Sequence, residues 1–147
     1  MSAIRSTYYY ASQVISATFI LLWVYTAGSK LINFGTYRLE MQHQVFNAEI
    51  SAMLIYIVPA FELLAVLLLL FERTNKMGLM LSLLLIAAFT GYIFLITIGY
   101  FPKVPCSCGG VIRSLGWKGH LLFNLIFLIL AIFALNIKIK REAVDKE

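Results

Sequence analysis

Two cysteines stand one residue apart in Val104-Pro105-Cys106-Ser107-Cys108-Gly109-Gly110, and the chain holds no others. A dithiol at this spacing can cycle between two thiols and a disulfide. Closure needs the two Cα atoms about 4.4–6.8 Å apart, so the backbone must turn between them. Pro105 on one side and Gly109-Gly110 on the other supply turn chemistry. A ring this small is strained, and strained disulfides are the oxidising, exchange-prone kind. The bland alternative is a bridge that only ties a loop, but a link across one residue removes little chain entropy. His120 follows soon after, behind Trp117. An imidazole beside a thiol can lower its pKa and take its proton during exchange. It is also an ordinary residue for a helix entrance. With His43 the inventory reaches Cys₂His₂, enough ligands for a metal site, although the spacing adds nothing to that idea.

Two ionisable residues sit inside otherwise apolar runs: Lys30 in Ala27-Gly28-Ser29-Lys30-Leu31, and Glu62 in Pro59-Ala60-Phe61-Glu62-Leu63-Leu64. A carboxylate at membrane depth is costly and marks a function or a buried partner. Lys30 is the simplest partner, as a structural ion pair or as part of a proton-handling site. Lys30 can also extend its stem toward an interface. Pro59 has no N–H to offer the preceding turn, so it is expected to kink or open the helix and free a carbonyl near Glu62.

The elements that must position these groups follow from composition. Of 147 residues, 61% are hydrophobic and only 13% charged, and mean hydropathy is +0.87. Ordinary soluble domains are about 45–50% apolar and about 25% charged, so a soluble fold and a disordered chain are both excluded. Four runs reach the roughly 20 residues a transmembrane helix needs: about 13–33, 52–71, 77–101 and 119–137. They do not alternate in polarity as barrel strands would. The expectation is an all-α integral membrane protein, a four-helix bundle forming one domain over residues 1–147. The short polar connection at 72–76 makes the second and third spans antiparallel neighbours.

The first run is longer than a signal-peptide core and continues through Ser29-Lys30-Leu31-Ile32 without a clear cleavage site, so it reads as a retained span. Lys and Arg set the orientation. Arg5, Arg73, Lys76, Lys138, Lys140, Arg141 and Lys146 share one side; Arg38, Lys103, Arg113 and Lys118 share the other. Seven against four puts both termini in the cytoplasm and the cysteine loop outside it, where disulfides persist. The net charge of +5 is then topology anchoring and headgroup contact, not a nucleic-acid footprint. Tyr8-Tyr9-Tyr10, Trp23, Tyr100 and Trp117 read as interfacial aromatics. The mixed run 37–46 can form a helix lying on the membrane, and Gly78, Gly91 and Gly99 suit close helix packing.

Three islands together resemble the MauE/DoxX superfamily of small bacterial membrane proteins. They are Gly28-Ser29-Lys30-Leu31, Pro59-Ala60-Phe61-Glu62, and the block from Pro105-Cys106-Ser107-Cys108-Gly109-Gly110-Val111 through Leu115-Gly116-Trp117 to His120-Leu121-Leu122-Phe123-Asn124. The last is the most specific and is similar to the MauE-type branch. The resemblance implies a redox-associated protein of the bacterial inner membrane, linked to disulfide handling beside a periplasmic thioredoxin-like partner. Through DoxX relatives it also implies a connection to quinone. The chain departs from four-helix disulfide-to-quinone enzymes in having one C-x-C rather than a C-x-x-C and a shuttle pair.

The leading expectation is thiol–disulfide electron transfer with an extracytoplasmic partner, with Cys106 and Cys108 as the redox pair and His120 assisting proton transfer. Two alternatives stay open. One is a non-catalytic membrane subunit or scaffold whose C-x-C shapes a docking loop. The other is metal capture by Cys106, Cys108, His43 and His120.

Overall fold

The computed structural model describes residues 2–101 and 116–144, with side chains over 8–101 and 116–140. The described residues form five helices: α1 (Ser2–Ile32), α2 (Phe34–Gln42), α3 (Ala48–Leu70), α4 (Asn75–Thr97) and α5 (Gly116–Val144). Four of them, α1, α3, α4 and α5, are long and apolar enough to cross a membrane. At a rise of about 1.5 Å per residue, even the 23-residue α3 and α4 exceed a hydrocarbon core of about 30 Å.

These helices invert the soluble pattern. Leu21, Leu67, Leu84 and Ile129 face outward, where lipid tails solvate them as well as a core would. The inward stripes interleave small and polar side chains with large apolar ones. On α1 the stripe is Ser12, Ser16, Phe19, Trp23 and Ala27; on α4 it includes Gly78, Ser82, Ile86 and Thr90. The four long helices stand in a ring, each packed on two neighbours, in the order α1, α3, α4, α5, so that α3 and α5 occupy opposite corners.

One end of the ring is tightly closed. Thr74 Oγ1 donates to Leu68 O at 2.8 Å in the α3–α4 turn. A Cβ on Gly78 would lie 2.8 Å from the backbone nitrogen of Leu69, so only glycine permits this approach. Asn75 accepts from Lys138 Nζ at 3.1 Å, and its Nδ2 donates to Ser16 Oγ at 3.1 Å and to Leu69 O at 3.0 Å. Tyr9 and Gln13 both donate to Glu72 Oε1. The start of α1, the α3–α4 turn and the last turns of α5 therefore share one end of the bundle.

The structure moves several sequence-based boundaries. The helix expected from residue 52 begins at Ala48, because the Asn47 side chain accepts from Ile50 N and caps it. The helix expected to reach 101 stops at Thr97. Gly99, at φ +75°, donates to Ile96 O while Tyr100 N donates to Leu95 O, a Schellman ending. Gly99 thus terminates the helix rather than packing it, and a Cβ on Gly91 would meet nothing within 4 Å. Trp23 is not interfacial either. It is 1% exposed, and its Nε1 donates to Ser82 Oγ at 2.9 Å across the core. The run expected to lie on the membrane does form a helix, α2, but Tyr37 and Met41 on it pack with Ile55 of α3.

Candidate functional site

The end of the ring opposite the closed turn is built differently. Lys30 lies in the last turn of α1, and Glu62 lies on α3 three residues after Pro59. Lys30 Nζ donates to Glu62 Oε1 at 2.7 Å and also to Thr26 O at 3.3 Å. The Glu62 side chain is 1% exposed and that of Lys30 19%. The carboxylate is therefore shut away while the ammonium keeps a route outward. Pro59 remains inside α3; it can donate no bond to Ile55 O four residues back.

Around this pair lies a cavity of about 670 Å³. α1 contributes Trp23, Thr26 and Lys30; α3 contributes Phe61 and Glu62; α4 contributes Phe89 and Tyr92; α5 contributes Trp117, His120 and Asn124. α2 and the turn after it close one side with Glu40, Gln44 and Phe46. Tyr92 OH donates to Gln44 Oε1, Gln44 Nε2 donates to Glu40 O at 3.2 Å, and Phe46 stacks on Tyr92 at 5.4 Å between ring centroids. Fixing one side chain of α4 to the turn after α2 in this way makes that surface connection a wall. Two polar atoms of lining residues have no hydrogen-bond partner among the described residues: Glu62 Oε2 and Asn124 Nδ2.

Of the residues singled out from sequence, Lys30 and Glu62 come into direct contact, and His120 lines the same cavity, half-buried. Cys106 and Cys108 lie outside the described residues. The described chain on either side of their segment lies against the cavity wall or forms part of it. Phe101 packs its ring 6.3 Å from that of Tyr92, and Trp117 lines the wall. His43 is elsewhere, exposed at the end of α2 with Nδ1 2.7 Å from Leu39 O. Among the described residues no group of three or more His, Cys, Asp or Glu could hold a metal ion.

Sequence reasoning passed over Gln44 and Tyr92, and gave Asn124 no role of its own. For Asn124 a signal existed: it follows His120 by four residues, one helical turn, on the same face. For Gln44 and Tyr92 none did, because 48 positions separate the two residues.

A family model described as methylamine utilisation protein MauE matches residues 8–137. Comparison with the curated proteins and with the solved structures gives no match.

Proposed function

Since the chain belongs to the MauE family, we propose that it takes part in thiol–disulfide electron transfer at the outer face of a bacterial inner membrane, through Cys106 and Cys108. One cysteine attacks a partner disulfide, or is attacked by a partner thiolate, and the other resolves the mixed disulfide. The S–S bond passes one way between the two proteins, and two electrons and two protons pass the other. The partner is an extracytoplasmic protein of thioredoxin-like chemistry, and quinone is the lipid-soluble acceptor within reach. His120 serves the proton transfer.

The observation that supports this reading is one of chain order: the segment that carries the dithiol joins Phe101, whose ring packs against Tyr92 of the cavity wall, to Trp117, which lines the same cavity. Its test is capture. Cys106→Ser and Cys108→Ser variants should each be examined for a mixed disulfide with an extracytoplasmic protein, and at least one should hold it. A Cys106→Ser/Cys108→Ser protein with undiminished function would end the proposal.

Orientation is part of the same reading. With both termini cytoplasmic, a cysteine introduced at Arg73 should be shielded from an impermeant thiol reagent in intact cells, while reduced Cys106 or Cys108 is labelled. The opposite pattern would put the dithiol in a reducing compartment and remove the disulfide partner.

A further inference from the structure

The polar demand of the cavity is specific. Glu62 is fully buried and Asn124 is 4% exposed. Glu62 Oε1 is occupied by Lys30 and the Thr26 hydroxyl lies beside the carboxyl, whereas Glu62 Oε2 and Asn124 Nδ2 accept or donate no hydrogen bond among the described residues. A buried acceptor and a buried N–H donor left in this condition are expensive, more so with no water in the surrounding lipid. Native structures rarely keep such atoms without a reason. What would satisfy them is one donor for the carboxylate and one acceptor for the amide. The terminal torsion of Asn is broad, so the Asn124 head group can turn toward a ligand at little cost, while Glu62 stays held by Lys30 through Oε1. Because α3 and α5 stand at opposite corners of the ring, a ligand between them can meet both.

The walls set the rest of the ligand's chemistry. Trp23, Phe61, Phe89, Tyr92, Trp117 and Phe123 all line the cavity, and aromatic side chains favour flat rings offset against them or meeting them edge-on. About 670 Å³ is a usual volume for a small organic ligand, for which pockets run about 300–1,000 Å³. The occupant is thus a flat apolar ring carrying both a hydroxyl and a hydrogen-bond-accepting oxygen, soluble in lipid.

We propose that the cavity binds the head group of a quinone and its hydroquinone, with a ring hydroxyl donating to Glu62 Oε2 and a ring oxygen accepting from Asn124 Nδ2. The inference deepens the dithiol reading and takes from it only the need for a two-electron acceptor. Oxidation of Cys106 and Cys108 forms one S–S bond and releases two electrons and two protons. A quinone takes up the same number as its two carbonyls become hydroxyls.

Both tryptophans of the chain, Trp23 and Trp117, line the cavity, so their fluorescence reports its occupancy. The Cys106→Ser/Cys108→Ser protein in lipid nanodiscs should be titrated with a short-chain naphthoquinone, and in parallel with a naphthalene of the same tail that lacks the ring oxygens. Saturable quenching by the quinone alone is expected. Asn124→Leu, which leaves the Lys30–Glu62 pair intact, should weaken it about tenfold, the usual consequence of losing a buried hydrogen bond. Glu62→Gln should do the same for the reduced ligand, followed by competition. Equal saturation by the naphthalene, quenching that rises linearly without saturating, or an Asn124→Leu titration identical to that of the parent would each overturn the site. A phospholipid that displaces the quinone stoichiometrically would assign the cavity to a lipid and overturn it as well. Because this protein has no thiols, binding tests the site alone, and mixed-disulfide capture tests the dithiol reading alone.

Discussion

The two ends of the bundle solve the same problem in opposite ways. At the closed end, Asn75 spends both halves of its amide on Ser16, Leu69 and Lys138, and Gly78 lets the backbones of two helices approach closely. At the other end, a fully buried carboxylate has one oxygen on Lys30 and one without a partner among the described residues, beside a cavity of about 670 Å³. Satisfied polar networks rigidify a core, and partly satisfied ones carry a cost. The closed end therefore reads as structure. The cavity end carries polar groups that packing alone does not explain, as the proposed site requires.

The strongest way to break this contrast is to cut the ion pair. Lys30→Met leaves Glu62 charged and shut away, and should cost about 3–5 kcal/mol, read as a fall in folded protein and in melting temperature. Glu62→Gln should cost less, because the surviving Lys30 is 19% exposed and can extend its stem toward the interface. The double variant should recover part of the loss. Strict additivity in that double-mutant cycle would show that the pair does not hold the bundle.

A matched pair of asparagines sharpens the contrast at smaller scale. Asn75→Leu removes one hydrogen bond from the Lys138 ammonium and the bonds to Ser16 and Leu69 O, and should destabilise by about 2–3 kcal/mol. Asn124→Leu removes an amide nitrogen that has no partner among the described residues, and its stability should stay within about 0.5 kcal/mol of the parent. If Asn124→Leu unfolds the protein as readily as Asn75→Leu, the two ends are not different in kind.

The smallest effect concerns glycine. Gly78→Ala forces a Cβ against Leu69 at 2.8 Å, and overpacking of that sort should cost about 1–2 kcal/mol. Gly91→Ala meets nothing within 4 Å and should be neutral or raise the melting temperature slightly through helix propensity. Equal responses in thermal unfolding would remove the claim that the closed end is where backbones are pressed together.

The four membrane helices were legible in the sequence because partition into lipid is decided locally, residue by residue, over about 20 positions. Lys30 and Glu62 were legible for the same reason: an ionisable group in an apolar run needs a partner, and few were on offer. Their joint place beside Asn124, Tyr92 and Gln44 was not. Which stripe of a membrane helix faces inward depends on close packing of small residues and on hydrogen bonds between helices, and a uniformly apolar stretch carries no clear period to reveal it. Trp23 shows the limit. Its composition neighbourhood suggested an interface, yet a single acceptor on another helix, Ser82, draws it into the core.

Span number, the antiparallel α3–α4 hairpin and the rarity of intramembrane charge were thus set by the sequence alone, since each follows from hydrophobic transfer along a contiguous segment. The ring order that leaves α3 and α5 at opposite corners, the inward docking of α2 and the cavity between them were decided only by the tertiary structure. The reason is physical: those features arise from contacts between residues tens of positions apart, and such contacts exist only once the helices have chosen their neighbours.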